Sequence, residues 1–401
     1  MSKKILILGA SILQLPAIKE ALAMGLRVVA VDWNPNAIGF SENGVEREVV
    51  STIDIPAVVE VAKRHKVDGV MTLATDLPMR SVAAVAKELG LPGISEESAI
   101  KATDKAEMRK ALKEAGVPIP AFFRAASEEE FWEAADKLCP PFMVKPADSS
   151  GSRGIFKIEQ GKNDKASLAS AYAYSRSASR SGVVVVEEFM EGPEVSVETL
   201  TAGGVCHVVQ ITDKRTTGAP HFVETGHSQP SALPEEVKEQ IRKVAVAANQ
   251  AIGITSGPSH TEIIVTKEGP KIVELGARLG GDCITTHLVP LSTGVDLVRC
   301  CIRIALGEIP DVLPTIKKGS AILYFPQSAG KILAINGLEE AKKVPGVKQI
   351  SVVHSVGESI TEITDSASRM GFVIAQGSNA SDAIGCCEAA LKKIQVKIQE
   401  R

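Results

Sequence analysis

Residues 260 to 282 read HTEIIVTKEGPKIVELGARLGGD, and within this stretch two glutamates and an arginine could do chemistry together. Apolar runs at 263–265 and 272–273 flank Lys267-Glu268-Gly269-Pro270, the pattern of a β-hairpin around a short Gly-containing connection. A three-residue loop of Lys267, Glu268 and left-handed Gly269 makes the ladder symmetric about Glu268 and sets Glu262 opposite Glu274. Facing carboxylates on one sheet destabilise it, with Cβ atoms roughly 5 Å apart. A hard cation with oxygen ligands relieves that repulsion. Arg278, four residues on and followed by Gly280-Gly281, adds a fixed positive charge beside it. The plain alternative is a surface hairpin with two solvated glutamates.

Upstream lie further groups suited to anions. Lys145 ends an apolar strand and is followed by Pro-Ala-Asp-Ser-Ser-Gly-Ser-Arg-Gly, a small-residue loop whose N–H groups can approach phosphate oxygens. It is not a Walker A loop, because its lysine precedes the loop and no GK[ST] follows. The alternative is a mobile surface turn. Lys105 opens a helix with Thr103 as the expected cap, and alone it reads equally as an ordinary first-turn lysine. Residues 213–229 read as a long polar loop carrying Lys214, Arg215, His221, Glu224 and His227. Lys214 and Arg153 are open candidates for phosphate or substrate contact. His260 reads as a hydrogen-bonded histidine behind the hairpin.

The elements that must position these groups alternate strand and helix at first. Strands at 5–8, 27–31, 48–50 and 70–73, with helices at 15–24, 55–66 and 79–89, make a small doubly wound parallel sheet. Thr75-Asp76 follows a strand end, where such sheets bind ligands, although Asp76 could equally cap a helix. The first loop, GASILQLP, lacks G-x-G-x-x-G, which argues against a nicotinamide cofactor despite the acid after strand two. Later strands are expected at 142–145, 183–186, 195–200, 205–212, 319–325, 349–353 and 371–376. Helices are expected at 165–179, 235–252, 287–306 and 381–394.

Bulk properties narrow the class. The 401 residues are 44% hydrophobic and 23% charged, which suits a globular chain of two or three domains. A net charge of −3 and only 4% aromatic residues give no footprint for nucleic acid or an anionic membrane. No run approaches the roughly 20 apolar residues of a membrane span, and the opening apolar stretch suits a buried strand rather than a signal peptide. Seven cysteines without C-x-x-C indicate neither zinc nor a disulfide framework, so a reduced cytoplasm is expected.

Four ordered elements together resemble the ATP-grasp superfamily: TDKAEMR, MVKPADSSGSRGI, VEEFMEGPE and the E…E-x-x-x-R hairpin. Within it, PHFVETGHSQPSALP, ELGARLGGD and GFVIAQGSNASDAI look most like L-amino acid ligases, a carboxylate–amine ligase group. The resemblance implies an α/β chain with an α+β ATP-binding part. An N-terminal doubly wound parallel-sheet domain (1–100) would precede an ATP-grasp domain (101–310, lid about 120–190) and a small C-terminal α+β domain (311–401). It implies that ATP is held by Lys105, Lys145, the loop Ser149-Ser150-Gly151-Ser152, the hinge Glu187-Glu188-Phe189-Met190 and Glu194. Glu262 and Glu274 would bind Mg²⁺, with Mn²⁺ as a substitute. Arg278 and His227 would be catalytic, and Glu224, His227, Arg278, Gly280 and Gly281 would hold substrate.

The implied activity joins a small-molecule carboxylate, of amino-acid type, to an amine through an acyl phosphate, releasing ADP and phosphate. Possible assembly is a homodimer. The alternatives are a phosphoribosylamine–glycine ligase, a bicarbonate-using carboxylase of purine synthesis, or a nucleotide-binding sensor without turnover. One departure stands out: many superfamily members have asparagine two residues after the second metal glutamate, and here that position is Gly276. One metal, or a second completed by water or phosphate oxygen, is the expectation.

Overall fold

The structure is a computed structural model and describes residues 2–149, 151, 153–159, 164–219 and 221–399. The strand Lys4–Leu8 is buried along its whole length, as its Ile-Leu-Ile-Leu run, covered on both faces, must be. It lies inside a parallel sheet ordered Val45–Val49, Arg27–Asp32, Lys4–Leu8, Gly69–Met71. Helices Leu15–Ala23, Ile55–His65 and Met79–Leu89 follow the strands Lys4–Leu8, Val45–Val49 and Gly69–Met71. Asp32, the acid that suggested a dinucleotide, is occupied locally. Its carboxylate accepts from Ala10 N at 2.8 Å and Asn34 N at 2.9 Å, tying the first two strand-end loops together.

A second sheet, ordered Phe122–Ala125, Val184–Glu188, Phe142–Pro146, Phe156–Ile158, has its own apolar core. Helices Glu128–Lys137 and Lys165–Ala178 close that core, where Phe131 stacks on Tyr172 with ring centroids 4.8 Å apart. An independent core allows this piece to move as a body.

The largest sheet has eight strands, ordered Gly269–Gly276, Gly257–Thr266, Glu194–Ala202, Val205–Thr216, Glu224–Gln229, Gly319–Tyr324, Gly371–Gly377, Val347–Val352. It runs continuously from the hairpin into the C-terminal residues. Ser359–Ile360, Gly330–Asn336 and Gln395–Gln399 form a separate three-stranded sheet. The expected loop at 213–229 is therefore corrected: the preceding strand extends to Thr216, and Glu224–Gln229 is a strand of its own. Its polar ETGHSQ composition hid it. Those polar groups find partners, as when Gln229 Nε2 donates to Thr212 Oγ1 at 2.8 Å and its Oε1 accepts from Ser292 at 2.9 Å.

The helix expected at 287–306 is also broken. A wide turn at Ile284–Leu288 leads into Val289–Thr293, and a separate helix follows at Leu297–Ala305. Gly294 causes the break: φ is +78°, and a Cβ there would stand 2.1 Å from Thr315 Oγ1.

The hairpin brings Glu262 opposite Glu274, but not through the expected turn. Thr266 pairs with Gly269 across a two-residue connection, which on its own would offset the glutamates by one. A bulge at Val273 adds the missing residue and restores their opposition. Arg109 Nη2 donates to the bulge carbonyl at 2.8 Å.

The helix Lys105–Glu114 is capped by Asp104 rather than Thr103, whose hydroxyl donates backward to Ala99 O at 2.8 Å. Asp104 Oδ1 accepts from Ala106 N at 2.9 Å and Glu107 N at 3.1 Å. Loss of such a cap costs about 1 kcal/mol. Asp104→Ala is expected to lower stability by about that amount in urea unfolding, and Thr103→Ala by clearly less.

Candidate active site

A cleft of about 1820 Å³ opens between the strand ends of the N-terminal sheet, the second sheet and the face of the eight-stranded sheet. Lys105, Lys145, Gly151, Glu187, Glu188, Phe189, Met190, Glu194, Glu224, His227, Glu262, Glu274, Arg278, Gly280 and Gly281 all line it. Expected site residues from five separate stretches thus meet in one place. Ser149 lines a small adjoining cavity with Lys105 and Glu274, while Ser150 and Ser152 lie outside the described residues.

Each hairpin carboxylate already holds an ammonium group. Lys105 Nζ donates to Glu274 Oε1 at 3.1 Å and to Ser149 O at 2.7 Å. Lys214 Nζ lies 3.1 Å from Glu262, 2.5 Å from Glu194 and 3.8 Å from Glu224. Burial opposes the Lys214 charge, yet the three carboxylates keep it well above the usual lysine range. Burial would likewise raise Glu262, but Lys214 and then His260 hold it well below the usual carboxylate range. Glu262 and Glu274 are hard oxygen donors on one face and suit Mg²⁺, which takes one or two carboxylates and keeps water or phosphate oxygens as its other ligands.

His260 stands behind them, as expected of a satisfied histidine. Its Nδ1 meets Glu198 Oε1 at 2.5 Å and its Nε2 is 3.5 Å from Glu262 Oε1. Gly280 permits this pair, since a Cβ there would stand 2.6 Å from His260 Nδ1 and 3.0 Å from both Glu198 oxygens.

At the hinge, Glu187 is almost fully buried between Arg109 and Lys145. Arg109 donates to Glu187 Oε2 through Nε at 3.1 Å and Nη2 at 2.9 Å. Burial alone would raise the Glu187 carboxyl; the two cations outweigh it and hold it down to about 2. Glu188 N donates to Ala121 O at 2.9 Å, Met190 is buried, and Lys157 stands 4.0 Å from the Phe189 ring centroid. Asp148 fixes the start of the small-residue loop by accepting from Ser179 Oγ at 2.8 Å and from Arg180 N and Ser181 N at 2.9 Å each.

At the other end, His227 Nε2 lies 3.2 Å from Asp282 Oδ2. Arg369 clamps the same carboxylate, with Nη1 2.9 Å from Oδ2 and Nη2 2.7 Å from Oδ1, while its guanidinium stacks 3.7 Å from the Tyr324 ring. Asp282 is partly buried, which would raise its carboxyl, but His227 and Arg369 pull it far down. Ser366 Oγ donates to Glu224 Oε2 at 3.1 Å. The sequence reading did not single out Arg109, Asp282 or Arg369. Only the D of GGD carried a local hint, because the partners lie 78, 55 and 87 residues apart in the chain.

The fold that carries these groups is that of the ATP-grasp enzymes. Residues 138–286 match the ATP-grasp domain family and residues 322–399 match the L-amino acid ligase C-terminal domain 2. The chain therefore carries an ATP-grasp domain followed by the C-terminal domain of the L-amino acid ligases. An alanine–anticapsin ligase of Bacillus subtilis (strain 168) is 30% identical over 258 residues, covering 60% of this chain and 53% of that protein. The match thus spans about half the length of that relative. A crystal structure of an L-amino acid ligase from Bacillus licheniformis superposes with a TM-score of 0.84 at 24% identity, covering 100% of this chain and 99% of that one. Phosphoribosylglycinamide synthetase from Anaerococcus prevotii gives 0.79 at 22%, covering 100% of both chains. At these identities the two structures establish the fold.

The Glu187 carboxyl has a pH signature. Its folded value lies below the ordinary 4.5, so its contribution is complete above pH 4.5 and fades as pH falls toward about 2. The melting-temperature gap between wild type and Glu187→Gln is therefore expected to be widest above pH 4.5 and to close toward pH 2. A constant gap would contradict the buried ionised triad.

Proposed function

We propose that the chain is an ATP-dependent carboxylate–amine ligase that activates the carboxylate of an amino acid as an acyl phosphate and passes the acyl group to an amine. The observation that carries this reading is the facing pair Glu262 and Glu274, each held by a lysine, with Arg278 on the same strand–turn. Neither a binding module nor a scaffold needs opposed carboxylates stabilised in this way. The name of the alanine–anticapsin relative and the L-amino acid ligase C-terminal domain support the same class.

In the proposed reaction a carboxylate oxygen of the first substrate attacks the γ-phosphorus of ATP, and the bond to the β-phosphate oxygen breaks to release ADP. Lys105 and Lys145 bear on the phosphates, where fixed cations stabilise charge spread in transfer. The hinge from Glu187 to Met190 receives the adenine, and Glu194 the ribose hydroxyls. Glu262 and Glu274 would hold Mg²⁺, which neutralises phosphate charge when bound. The resemblance gives the small-residue loop after Lys145 the part of covering the triphosphate, which would exclude water that hydrolyses an acyl phosphate.

In the second step the amine nitrogen attacks the acyl carbon, the C–O bond to phosphate breaks, and the amine loses a proton. Arg278 stabilises the tetrahedral oxyanion. Glu224 pairs with a substrate ammonium, and Gly280 and Gly281 leave room for the substrate beside Arg278. His227, with Nε2 3.2 Å from Asp282 Oδ2, is the residue to which we assign that proton.

A purine-pathway ligase shares the ATP machinery but would have to hold a ribose phosphate. The first strand-end loop instead turns Ile12 and Leu13 into the cleft, 64% and 46% exposed, and the neighbouring Lys19 is paired with Glu42 at 3.5 Å. An apolar rim of this kind favours an unphosphorylated substrate.

Incubation of the enzyme with ATP, Mg²⁺, pooled amino acids and small amines is expected to release ADP and phosphate in step with an amide seen by mass spectrometry. AMP as the stoichiometric product would overturn the proposal. Glu274→Gln and Arg278→Ala are each expected to keep the far-ultraviolet circular dichroism of wild type and lose turnover about 100-fold or more; normal activity in either would remove these residues from the site.

A further inference from the structure

Arg278 does not reach into the cleft alone. Its Nε donates to Asp76 Oδ1 at 2.8 Å and its Nη2 to Asp76 Oδ2 at 3.1 Å, a two-pronged pair between residues 202 apart in sequence. Its remaining Nη1 is 3.4 Å from Leu279 O. Asp76 is buried and comes from the N-terminal sheet, on the loop after Gly69–Met71. That loop turns through Ala74 at φ +60°, a left-handed conformation that residues with a Cβ seldom adopt.

The same contact accounts for Gly276. Its backbone is not left-handed, so conformational freedom is not what it supplies. A Cβ at 276 would stand 2.5 Å from Asp76 Oδ1 and 3.2 Å and 3.3 Å from Arg278 Nε and Cζ. A lone carboxylate could swing aside, but this one is pinned by two hydrogen bonds. Any side chain at 276 must break the pair. The space in which a metal-binding asparagine would project is therefore occupied by a carboxylate from another part of the chain.

We propose that Asp76 is a positioning residue for Arg278, and that position 276 is glycine so that Asp76 can reach it. Parallel N–H···O bonds fix the plane as well as the place of a guanidinium, which a single bond does not. Turnover then depends on the N-terminal sheet being seated against the eight-stranded sheet, although its strands carry none of the ATP-contacting residues. The role of Arg278 in this proposal rests on the ligase reading; the pairing itself does not.

Asp76→Ala, the near-isosteric Asp76→Asn, and Gly276→Asn are compared with wild type in amide formation. Expected are kcat losses of about 10- to 100-fold, the scale of a misplaced catalytic group, with the KM for ATP changed by less than about threefold. In an Arg278→Lys background, where no two-pronged pair can form, Asp76→Ala is expected to cost less than about threefold more. Arginine-selective ¹⁵N labelling reads the pairing without activity: a slowly exchanging Arg278 Nε–H is expected in wild type and is lost in Asp76→Ala and Gly276→Asn. Unchanged kcat in both Asp76→Asn and Gly276→Asn, or a gain in Gly276→Asn, would overturn the positioning role. Absence of amide product from wild type with the protected Nε–H intact would instead sink the ligase reading and leave the pairing standing.

Discussion

The constraint on which this molecule turns is that two carboxylates face each other on one strand pair and something positive must stand beside each. Unit charges roughly 5 Å apart repel by about 3 kcal/mol at the effective dielectric of a partly buried site. An ammonium near 3 Å from each returns more than that. Lys105 and Lys214 are so placed, at 3.1 Å from Glu274 and Glu262 respectively. Both lysines sit on rigid elements, one in the first turn of a capped helix and the other within a twelve-residue strand. A cleft lined by such paired lysines and carboxylates has the polarity that suits a polyanion and its counter-cation.

The same balance recurs around the site. Glu187 is neutralised by Arg109 and Lys145, Asp282 by Arg369 and His227, and Asp76 by Arg278. Removing one partner from such a buried pair leaves an uncompensated charge, which costs more than the pair itself contributes. Three of these pairs also join distant parts of the chain. Arg109 links the helix after the N-terminal sheet to the hinge, Arg369 links the C-terminal residues to the GGD turn, and Asp76 links the first sheet to the hairpin. The electrostatics that prepare the cleft therefore also set how its walls stand relative to one another.

Much of this was legible because the chemistry has local signatures. A lysine at a helix start, a lysine at a strand end before small residues, and two glutamates astride a Gly-Pro turn all show in a window of twenty residues. The opposition of Glu262 and Glu274 was read correctly while the turn was not: the connection is one residue shorter than expected, and the Val273 bulge makes up the difference. Gly276 was read as an absent ligand, and only the fold reveals Asp76 beside it. What stayed hidden was non-local or disguised. Arg369 and Asp282 meet across 87 residues with no motif to announce them. The strand Glu224–Gln229 looked like loop because its polar residues face the cleft or satisfy one another in the interior. Local pattern reports burial by apolarity, and a strand that builds an active site breaks that rule.

The central claim is that a substrate carboxylate is activated by direct transfer of the γ-phosphoryl group. Turnover with ¹⁸O-labelled carboxylate tests it most directly, because the bond formed in activation and the bond broken in acyl transfer are to the same oxygen. The account predicts one ¹⁸O from the carboxylate in the inorganic phosphate released with each amide. Label in AMP, or phosphate free of ¹⁸O during amide formation, would contradict it.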